Sequence, residues 1–224
     1  MTGFFGLAVC LRRRYGLRVR CVSYGVKLVT MTDKELENKL AKLGYTRLWL
    51  DYGVLTIEYF LVQEQEFNHS DDKFTEHYRY RAFTDYLSSK SQLSDTEFEN
   101  YLKLTLADED PLMAGAAATD LFRKRIDLTE HQFHKLCKTL GHFGEWTNKV
   151  VIRQTLLRKL KQNKMTTDLF RECIENGDSV VHGCILEIAD KNQLQELVLK
   201  GSNKRIKKIA AKKLKELSNK TRRG

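Results

Sequence analysis

Proline and long apolar runs are nearly absent from this sequence. One proline in 224 residues leaves long stretches in which nothing forbids a helix, and the alternating apolar and polar residues that indicate half-buried strands are scarce. No apolar run reaches the roughly 18 residues that a membrane span requires, since residues 3–10 are soon followed by Arg12, Arg13 and Arg14. We therefore expect an all-α fold without a membrane span.

The cysteines lack the spacing of a disulfide framework or a zinc site. Their number, five, is odd, and no two form a CxxC pair. This usage predicts reduced thiols in a cytoplasmic protein, with Cys137, Cys173 and Cys184 on buried helix faces as small apolar side chains. His131 and His134 precede Cys137 at steps of three, which spreads the side chains over about 120° of a helix and favours a surface pair of histidines over a metal site.

Catalytic motifs are absent from the sequence as well. It contains no nucleophile elbow, phosphate-binding glycine loop, HExxH motif or dinucleotide fingerprint. Asp85 and Asp120 occupy equivalent places in two similar segments, which indicates a packing role because a catalytic carboxylate need not recur. Trp146, at a predicted helix start, is interpreted as a packing residue, with contact to a bound base or peptide as the alternative. We predict no catalytic, cofactor-binding or metal-binding residue and favour a non-enzymatic role.

Charge is distributed unevenly along the chain. Residues 1–30 carry six basic and no acidic residues, residues 31–199 carry 22 basic and 28 acidic residues, and residues 200–224 carry 11 basic residues and one acid, for a net charge of +10. An electrostatic argument for an anionic partner therefore applies to the two ends only. Residues 1–30 are either a mitochondrial-type targeting segment or, as we favour, an upstream extension before a start at Met31. Both interpretations place them outside the core.

The sequence repeats a helix start three times, at offsets of 35 and 37 residues. Ser94 with Glu97, and Thr129 with Gln132, fit a capping box, in which two otherwise unpaired backbone N–H groups are satisfied reciprocally. An apolar residue before each cap and another after it fit the hydrophobic staple. The three segments are residues 93–98 (LSDTEF), 128–133 (LTEHQF) and 165–170 (MTTDLF). A repeated helix start indicates a repeated supersecondary unit, and hence a stack of units.

Apolar residues also recur at i, i+4 and i+8 in the second half of each unit. Steps of four drift only about 40° around a helix, so each trio forms one packing stripe. The trios are Tyr78/Ala82/Tyr86, Met113/Ala117/Leu121, Ile152/Leu156/Leu160, Val181/Ile185/Ala189 and Ile206/Ala210/Leu214. Thr32 and Glu35 form a further capping box and open a capping helix to about Leu43, whereas residues 44–53 allow a strand. The predicted helix pairs span residues 54–88, 93–124, 128–161, 165–190 and 192–217.

Three of the five second helices begin at Asp or Asn, and four have a basic residue after the first trio member. These features are carried by Asp110-Pro111, Tyr78-Arg79, Ile152-Arg153, Asp178 with Val181-His182, and Asn203 with Ile206-Lys207, whereas Met113-Ala114 lacks the basic residue. On these residues the chain resembles HEAT repeats over about residues 54–217. The resemblance implies a right-handed α-solenoid of about five helix pairs. We predict one repeat domain over residues 31–217 and a basic disordered tail over residues 218–224.

HEAT-like arrays serve as scaffolds, adaptors and nucleic-acid binders, and one branch, the alkylpurine DNA glycosylases, is enzymatic. We predict a scaffold that binds a protein partner along its second helices, with nucleic-acid binding as the alternative and a DNA glycosylase as a third hypothesis. The basic residues of the last helix either cap the stack with a solvated surface or bind phosphates or an acidic protein. The candidate anion-binding residues are Lys204, Arg205, Lys207, Lys208, Lys212, Lys213 and Lys215 on that helix, and Arg79, Lys149, Arg153 and Arg158 on earlier second helices.

Overall fold

The computed structural model describes residues 32–124 and 126–221, and within these ranges it contains twelve α-helices, a 3-10 turn over Gly141–Phe143 and no β-strand. The all-α prediction is confirmed. Segment 44–53, for which the sequence allows a strand, contains a short helix. The helices are α1 (Asp33–Lys42), α2 (Arg47–Asp51), α3 (Ile57–His69), α4 (Thr75–Ser88), α5 (Asp95–Ala107), α6 (Pro111–Arg123), α7 (Glu130–Leu140), α8 (Glu145–Gln162), α9 (Thr167–Asn176), α10 (Ser179–Ile188), α11 (Lys191–Lys200) and α12 (Lys204–Thr221).

Helices α3 to α12 lie two by two at the five predicted segments, and α1 lies where the capping helix is predicted. Helix α8 ends one residue after its segment, α11 begins one residue before its segment, and α12 ends four residues after it. The predicted tail begins too early, because α12 continues to Thr221. Residues 222–224 and the predicted extension, residues 1–30, lie outside the described residues.

Local hydrogen bonds explain where the helices begin. The predicted capping boxes form in α1, α5 and α7, where the cap side chain accepts the third backbone N–H of the helix and the acidic or amide side chain accepts the N–H of the cap residue. Asp110 accepts from the N–H groups of Leu112 and Met113, with Pro111 in the first helical position, where its missing N–H is not needed. Thr166 caps α9 without the reciprocal contact. The repeated phrases are therefore true helix starts.

The helices from α4 onward pack in two rows. In one row α4 packs against α6, α6 against α8, α8 against α10 and α10 against α12. In the other row α5 packs against α7, and α9 packs against α11. The two helices of each predicted pair are also in contact, namely α5 with α6, α7 with α8, α9 with α10 and α11 with α12. The Gln132 side chain in α7 donates to the Leu93 carbonyl at 3.1 Å and to Asp95 at 2.8 Å, so the starts of α5 and α7 are bound together.

The apolar interior consists of two clusters. The first extends from Leu36 in α1 to Leu140 in α7, and the second from Leu156 in α8 to Ala210 in α12. Helix α8 joins them, because its Val151 packs against the first cluster and its Leu156 lies in the second.

Four of the five predicted trios face the interior, but the trio on α8 is wrong at its first position. Ile152 is 43% exposed, whereas Leu156 is buried and Leu160 is half-buried. A helix that contacts two separate cores presents different sides at its two ends, so a single stripe does not describe it. Among the cysteines predicted to be buried, Cys173 is buried, Cys137 is half-buried and Cys184 is exposed.

Candidate functional site

Arg79, predicted as a candidate anion-binding residue, lies in the interior. Its side chain is 2% exposed, and its Nε and Nη2 donate to the two carboxylate oxygens of Asp108 at 2.8 and 3.1 Å. Its Nη1 donates to the Leu43 carbonyl at 3.1 Å and to the Thr75 hydroxyl at 2.9 Å. This guanidinium is fully engaged and cannot reach a macromolecule at the surface, so Arg79 is removed from the candidate site.

Equivalent contacts recur in two later second helices. Arg153 in α8 donates to Asp178, the cap of α10. His182 in α10 accepts the Ser202 N–H on Nδ1 at 3.0 Å and donates from Nε2 to the Cys173 carbonyl at 3.0 Å. Since Asp108, Asp178 and Ser202 all lie in turns just before α6, α10 and α12, each basic residue reaches the turn of the next pair. We call the contacts Arg79–Asp108, Arg153–Asp178 and His182–Ser202 the polar ladder.

The pair formed by α5 and α6 has no basic residue at this position, and aromatic packing takes its place. A Cβ atom added to Gly115 would lie 2.8 Å from the Trp146 ring and 3.1 Å from the Phe143 Cβ. The absence of a side chain on Gly115 therefore allows the Trp146 ring to approach α6 closely. Trp146 therefore packs against α6 as predicted, while 38% of the residue remains exposed to solvent.

The remaining candidate cations outside α12 are paired with carboxylates. Lys149 lies 2.8 Å from Glu145 one turn earlier. Arg158 donates to Glu130 at 2.6 Å, and its guanidinium lies over the Phe133 ring at 4.5 Å. Together with Arg153 in the polar ladder, these residues offer a partner little net positive charge.

Two of the seven candidate cations on α12 fasten that helix to the rest of the protein. The Lys207 Nζ donates to the Leu199 carbonyl at 2.7 Å. The Lys213 Nζ donates to the Leu186 carbonyl at 2.9 Å and lies 3.1 Å from Glu187. Both side chains are half-buried, so they are structural contacts.

The other five cations form what we call the basic face of α12. All five are exposed, and at about 100° per residue they lie within an arc of about 100° on the side away from Ile206 and Ala210, which are buried. Lys212 lies 3.9 Å from Glu216, and the other four form no ion pair or side-chain hydrogen bond with any part of the chain that the structure describes. The basic face comprises Lys204, Arg205, Lys208, Lys212 and Lys215. It concentrates positive charge along about 17 Å of helix.

A cleft of about 520 Å³ between α3 and α4 was not anticipated from the sequence. It is open to solvent and lined by Glu66, His69, Ser70, Asp72, His77, Tyr78 and Arg81. A hydrogen bond from His77 lowers the pKa of Asp72, and the same bond, 2.8 Å long, raises the pKa of His77. No group of three or more His, Cys, Asp or Glu side chains that could hold a metal occurs in residues 32–124 and 126–221. Two histidines eight residues apart carry no motif, which is why sequence reasoning missed the cleft.

The recurring aspartates have the packing role that their repetition predicts. Asp85 accepts a hydrogen bond from the Tyr59 hydroxyl. Asp120 is buried and accepts from the Tyr80 hydroxyl at 3.0 Å and the Thr84 hydroxyl at 3.2 Å. Both carboxylates are thus engaged in contacts between helices.

No protein-family model, curated protein or solved structure matches this chain. Among the described helices, none is long and apolar enough to cross a membrane.

Proposed function

We propose that helices α3 to α12 form a right-handed HEAT-like α-solenoid of five helix pairs, with α1 as its N-terminal cap. Three observations support this architecture: the two rows of helices, the hydrogen bonds between the starts of α5 and α7, and the polar ladder. In a repeat array each unit is stabilised by its neighbours, and a contact that recurs at each joint fixes their relative position.

This array is a non-enzymatic scaffold that binds a macromolecular partner, and the partner presents anionic groups to the basic face of α12. The observation that carries the proposal is the contrast between paired and unpaired cations. Arg79, Lys149, Arg153 and Arg158 have carboxylate partners within hydrogen-bond distance, whereas four of the five cations of the basic face have none among the described residues.

A solubilising cap does not explain this charge, because a cap needs polarity but not a single sign. Lys204 and Arg205 lie in the first turn of α12, where the helix dipole is positive and a cation is unfavourable by about 0.3–1 kcal/mol. Lys208 stands four residues from both Lys204 and Lys212, and each like-charge pair at that spacing costs about 0.2–0.5 kcal/mol. A face that lowers folding stability is better explained by an external anion.

Heparin affinity chromatography of the full chain tests the proposal with a generic polyanion. The face variant carries Lys204→Gln, Lys208→Gln and Lys212→Gln. The paired-lysine control carries three lysine-to-glutamine changes at residues that are ion-paired with Glu99, Glu172 and Glu196, namely Lys135, Lys159 and Lys200. Both variants lose the same net charge, so the proposal requires that only the face variant elute at clearly lower salt. Equal elution of the two variants would contradict it.

A second candidate surface for a protein partner is a set of exposed apolar residues at equivalent positions. Leu112, Val180 and Trp146 each occupy the second position of a second helix and are 70%, 48% and 38% exposed. Exposed apolar side chains that repeat from unit to unit favour a protein contact along that edge. Quantitative cross-linking in cell extract, comparing Leu112→Ser plus Val180→Ser with Leu48→Ser as an exposed control, tests it. Partners that are lost only from the double variant are expected.

A further inference from the structure

We propose that the basic face of α12 docks on the phosphate backbone of a duplex nucleic acid. This inference rests on the proposed function, since it names the anionic partner of the same surface. It assigns the binding to regularly spaced phosphates and excludes base reading from the contact.

The spacing of the cations fits a phosphate backbone. Lys204, Lys208 and Lys212 follow one another at about 6 Å along the helix, and Lys215 extends the row to about 17 Å. Neighbouring phosphates of one strand rise about 3.4 Å along a duplex axis and also turn around it, so their direct separation exceeds this rise and is comparable with the spacing of consecutive lysines. Lysine acts as a flexible point charge, which allows small mismatches to be taken up by its side chain.

The composition of the face favours nucleic acid over an acidic protein. Stable protein contacts depend on aromatic or aliphatic anchors surrounded by a polar rim. The basic face contains none, since the exposed Leu217 lies on the opposite side of the helix and Ile209 is half-buried. Nucleic-acid interfaces are by contrast polar and strongly positive.

The absence of aromatic residues favours a duplex over a single strand. Single strands are bound without sequence preference by stacking their bases on aromatic side chains, each worth about 1–3 kcal/mol. The sequence has no Phe, Tyr or Trp after Phe170, so α12 and its neighbours cannot provide such stacking. A duplex exposes its phosphates and keeps its bases stacked inside, so it is the nucleic acid that a basic face without aromatic residues can bind.

Fluorescence anisotropy of the full chain tests this assignment. The probes are a labelled DNA duplex, an RNA duplex of the same sequence, the single strand and labelled poly-L-glutamate, each titrated between about 50 and about 200 mM salt. Each neutralised phosphate contributes about 0.9 to the slope of log K against log salt, so the face variant should lose about 2.7 from the slope for duplex DNA. The paired-lysine control should retain the wild-type slope. Circular dichroism and melting of both variants establish that they are folded.

Each outcome separates this inference from the proposed function. Duplex binding that is tighter than single-strand and polyglutamate binding, with the predicted loss of slope, supports the inference, and the ratio of the DNA and RNA affinities identifies the source of the phosphates. Heparin discrimination without duplex binding, or polyglutamate binding as tight as duplex binding, overturns the inference and leaves the proposed function standing. Tighter binding of the single strand also overturns it. Elution of the face variant and the paired-lysine control from heparin at the same salt concentration overturns the proposed function itself.

Discussion

Replacing Asp108 by alanine removes the carboxylate from the Arg79–Asp108 ion pair, whose side chains are 2% and 3% exposed. The buried guanidinium then keeps its hydrogen bonds to Leu43 and Thr75 but loses both bonds to the carboxylate. Breaking a buried pair by removing one partner destabilises a protein by about 3–5 kcal/mol, because a charge is left unpaired in a low-dielectric interior. The exposed Glu109 carboxylate remains 3.7 Å from Arg79 Nη2 and offsets part of this charge, so a loss near the lower end of the range is expected. For a protein of this size the change lowers Tm by about 10 °C.

The second polar-ladder pair provides the comparison. Arg153 and Asp178 are each 37% exposed, so water can solvate either charge after the other is removed. Surface pairs contribute about 0–1 kcal/mol, and Arg153→Ala is expected within that range. The measurement is urea unfolding followed by circular dichroism at the helical band, with the free energy extrapolated to water for each variant.

A double variant shows whether a large loss of stability in Asp108→Ala comes from the unpaired Arg79 charge or from the missing Asp108 side chain itself. Arg79→Met combined with Asp108→Ala removes both charges, and most of the stability lost in Asp108→Ala should return, since an apolar replacement of a buried pair is often neutral. A loss below about 1 kcal/mol for Asp108→Ala would refute the reasoning. So would a double variant as unstable as the single one.

Four further predictions concern two glycines, the His77–Asp72 pair and Ile152. Gly183→Ala should raise the free energy of unfolding by about 0.5–1 kcal/mol, because Gly183 lies inside α10 and no atom lies near the added Cβ. Gly177→Ala should lower the free energy of unfolding, because the added Cβ would lie 2.2 Å from the Cys173 backbone carbonyl oxygen. Urea unfolding of the two variants checks both predictions. Because the folded pKa of His77 is raised, the stability from its pair with Asp72 is fully present below the unfolded histidine pKa and is lost as pH rises through the folded His77 pKa. Because the folded pKa of Asp72 is lowered, the pair is also lost in acid, as pH falls through the folded Asp72 pKa. An NMR titration in which Asp72→Asn leaves the His77 pKa unchanged would contradict this. Ile152→Asp should leave Tm nearly unchanged, since this side chain is 43% exposed, and a collapse of the fold on calorimetry would show that it is buried after all.

Local features of this fold could be predicted from sequence, and features that depend on distant contacts could not. The capping box of Thr129 and Gln132 joins residues three apart, so it is visible in the sequence and forms as expected. The partner of Arg79 is 29 residues away, and nothing near either residue indicates that the two meet in the interior. The predicted register of α8 was wrong for the same reason, because one side of the helix packs against the first apolar cluster and another side packs against the second.

The candidate site divides in the same way. The sequence identifies α12 as the most basic helix, but which of its cations are free depends on neighbouring helices. Lys213 donates hydrogen bonds to a backbone carbonyl and a carboxylate of α10, while Lys208 is exposed on the opposite side of α12. The pairing of Arg158 with Glu130 likewise joins two helices and has no local signal.

The most direct test of the account is the salt dependence of duplex DNA binding by wild type, the face variant and the paired-lysine control. The account predicts that changing Lys204, Lys208 and Lys212 lowers the slope by about 2.7, and that removing three ion-paired lysines elsewhere leaves it unchanged. Equal slopes for the two variants would show that binding follows net charge, and would contradict the assignment of the basic face as the docking surface.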